Sequence, residues 1–153
     1  MIPILADVVW PALYIMARWY TWWGIALGLV IEYFVLRLLS KATWQKTLIV
    51  VLAANALTSV IGYFAMPLLT FGWEFVLEST VYQVIKLGTF NPFGWLATVV
   101  VMGAITAFPE YIFMKKIMNV EFTRKKPWLW WWLANCASVF VAFVTVVIWP
   151  VQL

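Results

Sequence analysis

Histidine is absent from this 153-residue chain, and cysteine occurs once, at Cys136. Zinc sites, haem ligation and internal disulfides draw on His or on several Cys, so none of these is expected, and neither is another cofactor. Charge is also scarce. Only 10% of residues are Asp, Glu, Lys or Arg, against about 25% in a typical soluble domain. The first 17 residues carry Asp7 as their one charge; without a basic n-region, a secretory signal peptide is not expected. The chain has no phosphate-binding glycine loop, no Gly-x-Ser-x-Gly and no His-Glu-x-x-His, so no enzyme class is indicated.

What fills the chain instead is apolar. Hydrophobic residues make up 66%, with 12 Trp and 6 Tyr, and the mean hydropathy is +0.97. This is the composition of a protein built for lipid, with aromatic residues to spare for both water interfaces. Four apolar segments approach the ~20 residues that a helix needs to cross a bilayer. They run roughly over 17–39, 47–70, 92–115 and 127–150, the third entered at Pro92 and the fourth at Pro127, where proline suits the first helical position. Residues 1–16 are apolar but interrupted by Pro3 and Pro11. They fit an interfacial segment or an extension of the first span. Over 72–87, Trp73, Val76, Leu77, Val81, Val84 and Ile85 recur at helical spacing between Glu74, Glu78, Gln83 and Lys86. That pattern predicts an amphipathic helix on the outer surface.

The distribution of cations orients the bundle. Arg37, Lys41 and Lys46 follow the first segment; Lys115, Lys116, Arg124, Lys125 and Lys126 follow the third. Eight of ten cations therefore fall on one side, which the positive-inside rule makes cytoplasmic, with both termini outside. These eight residues form basic loops suited to anionic lipid headgroups, and the excess positive charge does not point to nucleic acid. A bacterial inner (plasma) membrane is the expected location. Trp128, Trp130, Trp131 and Trp132 read as interfacial anchors, and Cys136 as a small packing residue. Gly24 and Gly28 form a Gly-x-x-x-Gly that permits close helix contact, within the chain or with another copy.

Two stretches repeat. Glu32-Tyr33-Phe34-Val35-Leu36-Arg37 resembles Glu110-Tyr111-Ile112-Phe113-Met114-Lys115, and Leu52-Ala53-Ala54-Asn55 resembles Trp132-Leu133-Ala134-Asn135. The glutamates are 78 residues apart and the asparagines 80, consistent with a slightly longer second loop. The expected fold is thus all-α: one transmembrane domain, a four-helix bundle of two helical hairpins in parallel repeat, plus the outer interfacial helix.

Glu32 lies nine residues before Lys41, and Asn55 nine after Lys46. At ~1.5 Å per residue both sit about 13 Å from those lysines. Glu110 and Asn135 are comparably placed, so two carboxyls and two amides share a layer within the membrane. Thr58, Ser59 and Ser138 continue it about one turn from the asparagines. A carboxylate in hydrocarbon costs a few kcal/mol or more, which makes such a residue a functional candidate. Glu32, Glu110, Asn55, Asn135, Thr58, Ser59 and Ser138 are accordingly the candidate site for binding or moving protons or small cations, with no metal centre expected. Two plainer readings stand beside it. The layer can be interhelical glue, or the glutamates can pair locally with Arg37 and Lys115. The alternative function is a non-catalytic subunit or scaffold, as a homo-oligomer or within a larger membrane assembly.

Overall fold

A computed structural model describes residues 22–73 and 92–148. These form four helices: α1 (Trp22–Leu39), α2 (Trp44–Trp73), α3 (Pro92–Lys116) and α4 (Pro127–Ile148). Stretches of α2 (Trp44–Ala65), α3 (Trp95–Lys116) and α4 (Pro127–Val144) are each long and apolar enough to cross a membrane. The described residues are thus all-helical, with three helices that could cross a membrane, consistent with an integral membrane protein. The expected segment over 1–16 lies outside the described residues. So does the expected surface helix, apart from residues 72 and 73, which belong to α2.

Local chemistry sets the helix ends at the loops. Thr43 caps α2, its Oγ1 accepting from the Lys46 backbone N–H at 3.3 Å, which satisfies one of the unpaired donors of the first turn. Arg37 ends α1, and Lys115 and Lys116 end α3, where cations complement the negative end of the helix dipole. Beyond α3 the backbone turns at Asn119, whose φ of 48° is a left-handed conformation that Asn tolerates better than most residues. Val120 N–H then closes back onto the Met114 carbonyl at 3.0 Å.

The helices pack in a ring. α4 lies extensively along both α3 and α1, while α2 touches α1 and α3 more sparsely. The α1–α2 turn and the α3–α4 loop meet at one end, joined by an antiparallel bridge between Ser40 and Phe122. There Thr123 donates its backbone N–H to the Leu39 carbonyl at 2.8 Å, and Lys46 Nζ reaches the Asn119 carbonyl at 3.4 Å. α1 and α3 therefore both run toward this end. All eight cations singled out above sit here, and all are exposed.

Beneath the loops lies an apolar core of Leu36, Leu39, Val50, Val51, Met114, Val120 and Trp131, continued past the Glu110 level by Ala107. Outward-facing side chains are also large and apolar, among them Ile49, Tyr63, Phe64, Leu68, Leu96 and Phe108, as a surface in contact with lipid requires. One expectation fails in this region. Trp128 and Trp130 are exposed, as anchors should be, but Trp131 is fully buried. The helical period explains why, since Trp131 lies four and seven residues before Asn135 and Ser138 and so shares their inward face.

α3 and α4 approach each other closely at Gly103. A Cβ on Gly103 would come within 2.5 Å of Cys136 Sγ and 2.9 Å of the Cys136 backbone nitrogen. Gly28, the second glycine of the Gly-x-x-x-Gly, leaves ordinary room beside Ser138, whose Cβ would be 3.5 Å from an added methyl.

Candidate functional site

Next to the apolar core, Glu32 and Glu110 point into the bundle, 3% and 1% exposed. Glu32 comes from α1, one turn before Leu36. Glu110 comes from α3, immediately after Pro109, a proline inside the helix. That proline lacks the N–H that would otherwise reach the carbonyl of Ile105.

Each carboxyl is held by side chains from two helices. Asn55 Nδ2 donates to Glu32 Oε2 while also reaching the Val51 carbonyl of its own helix at 3.0 Å. Ser138 Oγ lies 3.0 Å from Glu32 Oε1. On the other side, Asn135 Nδ2 donates to Glu110 Oε2 at 3.1 Å, and Trp131 Nε1 donates to the same oxygen at 3.0 Å. Thr58 Oγ1 lies 2.8 Å from Glu110 Oε1. Thr106 completes the cluster, donating to Asn135 Oδ1 at 2.7 Å, which fixes the orientation of that amide so that its N–H faces the carboxyl.

The partners follow a crossed pattern. Glu32 takes its amide from α2, the helix its own runs into, and its hydroxyl from α4. Glu110 takes its amide from α4, again the next helix in the chain, and its hydroxyl from α2. In both helices the hydroxyl lies three residues after the amide: Asn55 then Thr58, and Asn135 then Ser138.

The two hydroxyls add a chemical option. Thr58 Oγ1 is also 3.1 Å from the Ala54 carbonyl, and Ser138 Oγ is 3.2 Å from the Ala134 carbonyl. A hydroxyl has one proton and two lone pairs. It can give that proton to a carboxylate, or give it to its own helix and accept one from a neutral carboxylic acid. Trp131 and the asparagine amides allow no such reversal, because their N–H groups only donate. Each carboxyl thus has one oxygen fixed as an acceptor and one, Oε1, that is bonded in either protonation state.

Of the seven candidate residues, six meet in this cluster: Glu32, Asn55, Thr58, Glu110, Asn135 and Ser138. Ser59 does not; it is exposed, since one step along α2 turns its hydroxyl about 100° away from that of Thr58. Local pairing with Arg37 does not describe Glu32 either. The hydrogen bonds of Glu32 run inward, while Arg37 is exposed and donates to the Ala42 carbonyl. Trp131 and Thr106 are cluster members that went unread. Trp131 was hidden by the three tryptophans around it, although its spacing from Asn135 and Ser138 was a usable signal. Thr106 sits four residues before Glu110, one turn away, and was visible by the same test.

Comparison with protein-family models, with curated proteins and with solved structures finds no match for this chain.

Proposed function

We propose that the protein is a four-span bundle of two parallel-repeat hairpins whose buried carboxyl pair binds and exchanges protons within the membrane. The observation that carries this reading is the hydroxyl set against one oxygen of each carboxyl. It lets Glu32 and Glu110 gain or lose a proton without leaving a buried polar atom unbonded, which would otherwise cost about 1–3 kcal/mol. A proton suits the cluster better than a metal cation. Glu110 Oε2 already accepts from two N–H groups, and among the described residues no group of three or more His, Cys, Asp or Glu gathers to hold a metal ion.

The crossed amide-and-hydroxyl pattern supports the repeat, with α1–α2 and α3–α4 related by an axis along the membrane normal. α1 then serves as the fourth span. The exposed cations at the loop end support a cytoplasmic placement for that end. The apolar side chains between the carboxyls and the loops form a barrier on that side, which a proton path has to cross or bypass when the helices shift.

The test is flux in liposomes with an entrapped pH dye under an imposed potential, comparing the parent with Glu32→Gln/Glu110→Gln. Proton flux in the parent that disappears in a folded variant supports exchange at the pair. Equal flux in both sinks it. A second reading, a non-catalytic structural or assembly subunit, is favoured by one observation: the cluster ties all four helices together with direct hydrogen bonds. Under that reading the parent shows no flux and the double variant changes only stability or association with partner chains.

A further inference from the structure

The outer side of the α3–α4 pair is not smooth. A cavity of about 720 Å³ opens there, lined by Ala104, Ile105, Phe108 and Tyr111 of α3 and by Trp128 and Trp132 of α4. Its size is that of a site for a small organic ligand, about 300–1,000 Å³. The groove arises from a size contrast in the sequence. Ala104 and Ala107 form a low floor, and Phe108, Trp128 and Trp132 stand as walls. Tyr111 is braced from behind by a stacked contact with Phe122, ring centres 5.3 Å apart.

The groove has a charged end and an apolar end. Positions 104, 108, 111 and 115 fall on one face of α3, so the next residue beyond Tyr111 on that face is Lys115. A helical side chain leans toward the N-terminus and over the turn before its own Cα, so this exposed lysine stands one turn beyond the lining residues and leans toward them. On the other wall, Lys125 and Lys126 immediately precede the turn that carries Trp128. All three lysines are exposed. From Ala104 to Lys115 the helix rises about 16 Å, close to half of a hydrocarbon core about 30 Å thick. The apolar groove and the lysines just beyond its loop end together span about one leaflet, with the cations at the headgroup level.

We infer that this groove is a binding site for one phospholipid with an anionic headgroup, its acyl chain lying between α3 and α4 and its phosphate held by Lys115, Lys125 and Lys126. The inference requires the membrane setting and the loop end at a headgroup surface, but not proton exchange at the carboxyls.

Native mass spectrometry of the detergent-solubilised chain, titrated with phosphatidylglycerol or with phosphatidylcholine of the same acyl composition, tests it. The parent is expected to retain one phosphatidylglycerol with at least about tenfold preference, since each cation near a surface contributes several-fold toward an anionic lipid. Lys115→Gln/Lys125→Gln/Lys126→Gln is expected to bring the two lipids to about equal retention. Ala104→Phe, which fills the floor from the lipid side, is expected to lose bound lipid of both kinds. Equal retention of the two lipids by the parent overturns the inference, as does undiminished preference in the lysine variant. Should Ala104→Phe fail to fold, the lysine variant decides, because its three substitutions are on exposed side chains. A chain that conducts no protons and still selects the anionic lipid leaves this inference standing.

Discussion

Glu110 and Glu32 carry the same chemistry in different surroundings. Glu110 is met by three donors, from Thr58, Trp131 and Asn135, and Glu32 by two, from Asn55 and Ser138. This predicts a sharp split between two substitutions at position 110. Gln keeps an oxygen for Trp131 and Asn135 and turns its amide N–H toward Thr58 Oγ1, which can donate to Ala54 instead. Glu110→Gln should therefore change unfolding free energy in detergent by about 1 kcal/mol or less. Glu110→Ala strands two N–H donors in a dry interior and opens a cavity, and should cost about 3 kcal/mol or more. Equal effects of the two would mean that the cluster is wet. Trp131→Phe probes the same point from the donor side. It keeps most of the packing and removes one N–H, so about 1 kcal/mol is expected, against about 3–5 kcal/mol for Trp131→Ala. At this scale the sequence was informative where a polar residue interrupts an apolar run, as at Glu32, Asn55, Glu110 and Asn135. It was uninformative where the signal is common in membrane helices. A tryptophan beside basic residues usually marks an interface, so Trp131 did not stand out, and adjacency to Thr58 made Ser59 look equivalent when it faces outward.

Helix packing turns on a different residue from the one the motif suggested. Gly-x-x-x-Gly at Gly24 and Gly28 permits a close approach on α1, where Gly28 leaves ordinary room beside Ser138, while a tight crossing occurs at Gly103 against Cys136. The reason is physical: a motif records only one of the two surfaces, and closeness depends on what the partner helix presents. An added Cβ at Gly103 meets backbone atoms at 2.9 and 3.0 Å, which cannot rotate away. Gly103→Ala is therefore expected to push α3 from α4 and to cost about 1–3 kcal/mol. Gly62→Ala is the control, because nothing lies within 4 Å of its added methyl. There the better helix propensity of Ala should leave stability unchanged or raise it by up to about 1 kcal/mol. Thermal unfolding in detergent of the two variants side by side checks both signs. Two helix starts, by contrast, were readable from Pro92 and Pro127, because start signals act locally and do not depend on a partner. The second helix, expected over 47–70, begins earlier at Trp44, behind the Thr43 cap, and runs on to Trp73.

For the molecule as a whole, the decisive relation is between two loops about 80 residues apart in the chain. The expectation of two same-sense hairpins rested on a short sequence repeat and on the clustering of cations, neither of which brings the loops into contact. The bridge between Ser40 and Phe122 does. Residues facing each other in an antiparallel bridge have Cα atoms about 4.5–5.5 Å apart, within the range a disulfide spans. Ser40→Cys/Phe122→Cys, in a Cys136→Ala background, should therefore cross-link within one chain under mild oxidation and raise resistance to unfolding. Lys41→Cys and Arg124→Cys, made singly, should both react with a membrane-impermeant thiol reagent from the same side of sealed vesicles. Cross-linking only between chains would mean that the hairpins pair across an oligomer and that each carboxyl draws its hydroxyl from a neighbouring copy. Labelling from opposite sides would separate the hairpins and, with them, Glu32 from Ser138 and Glu110 from Thr58. The loop contact and the carboxyl cluster thus stand or fall together, because the crossed bonding requires α2 and α4 to run in the same direction from the same end.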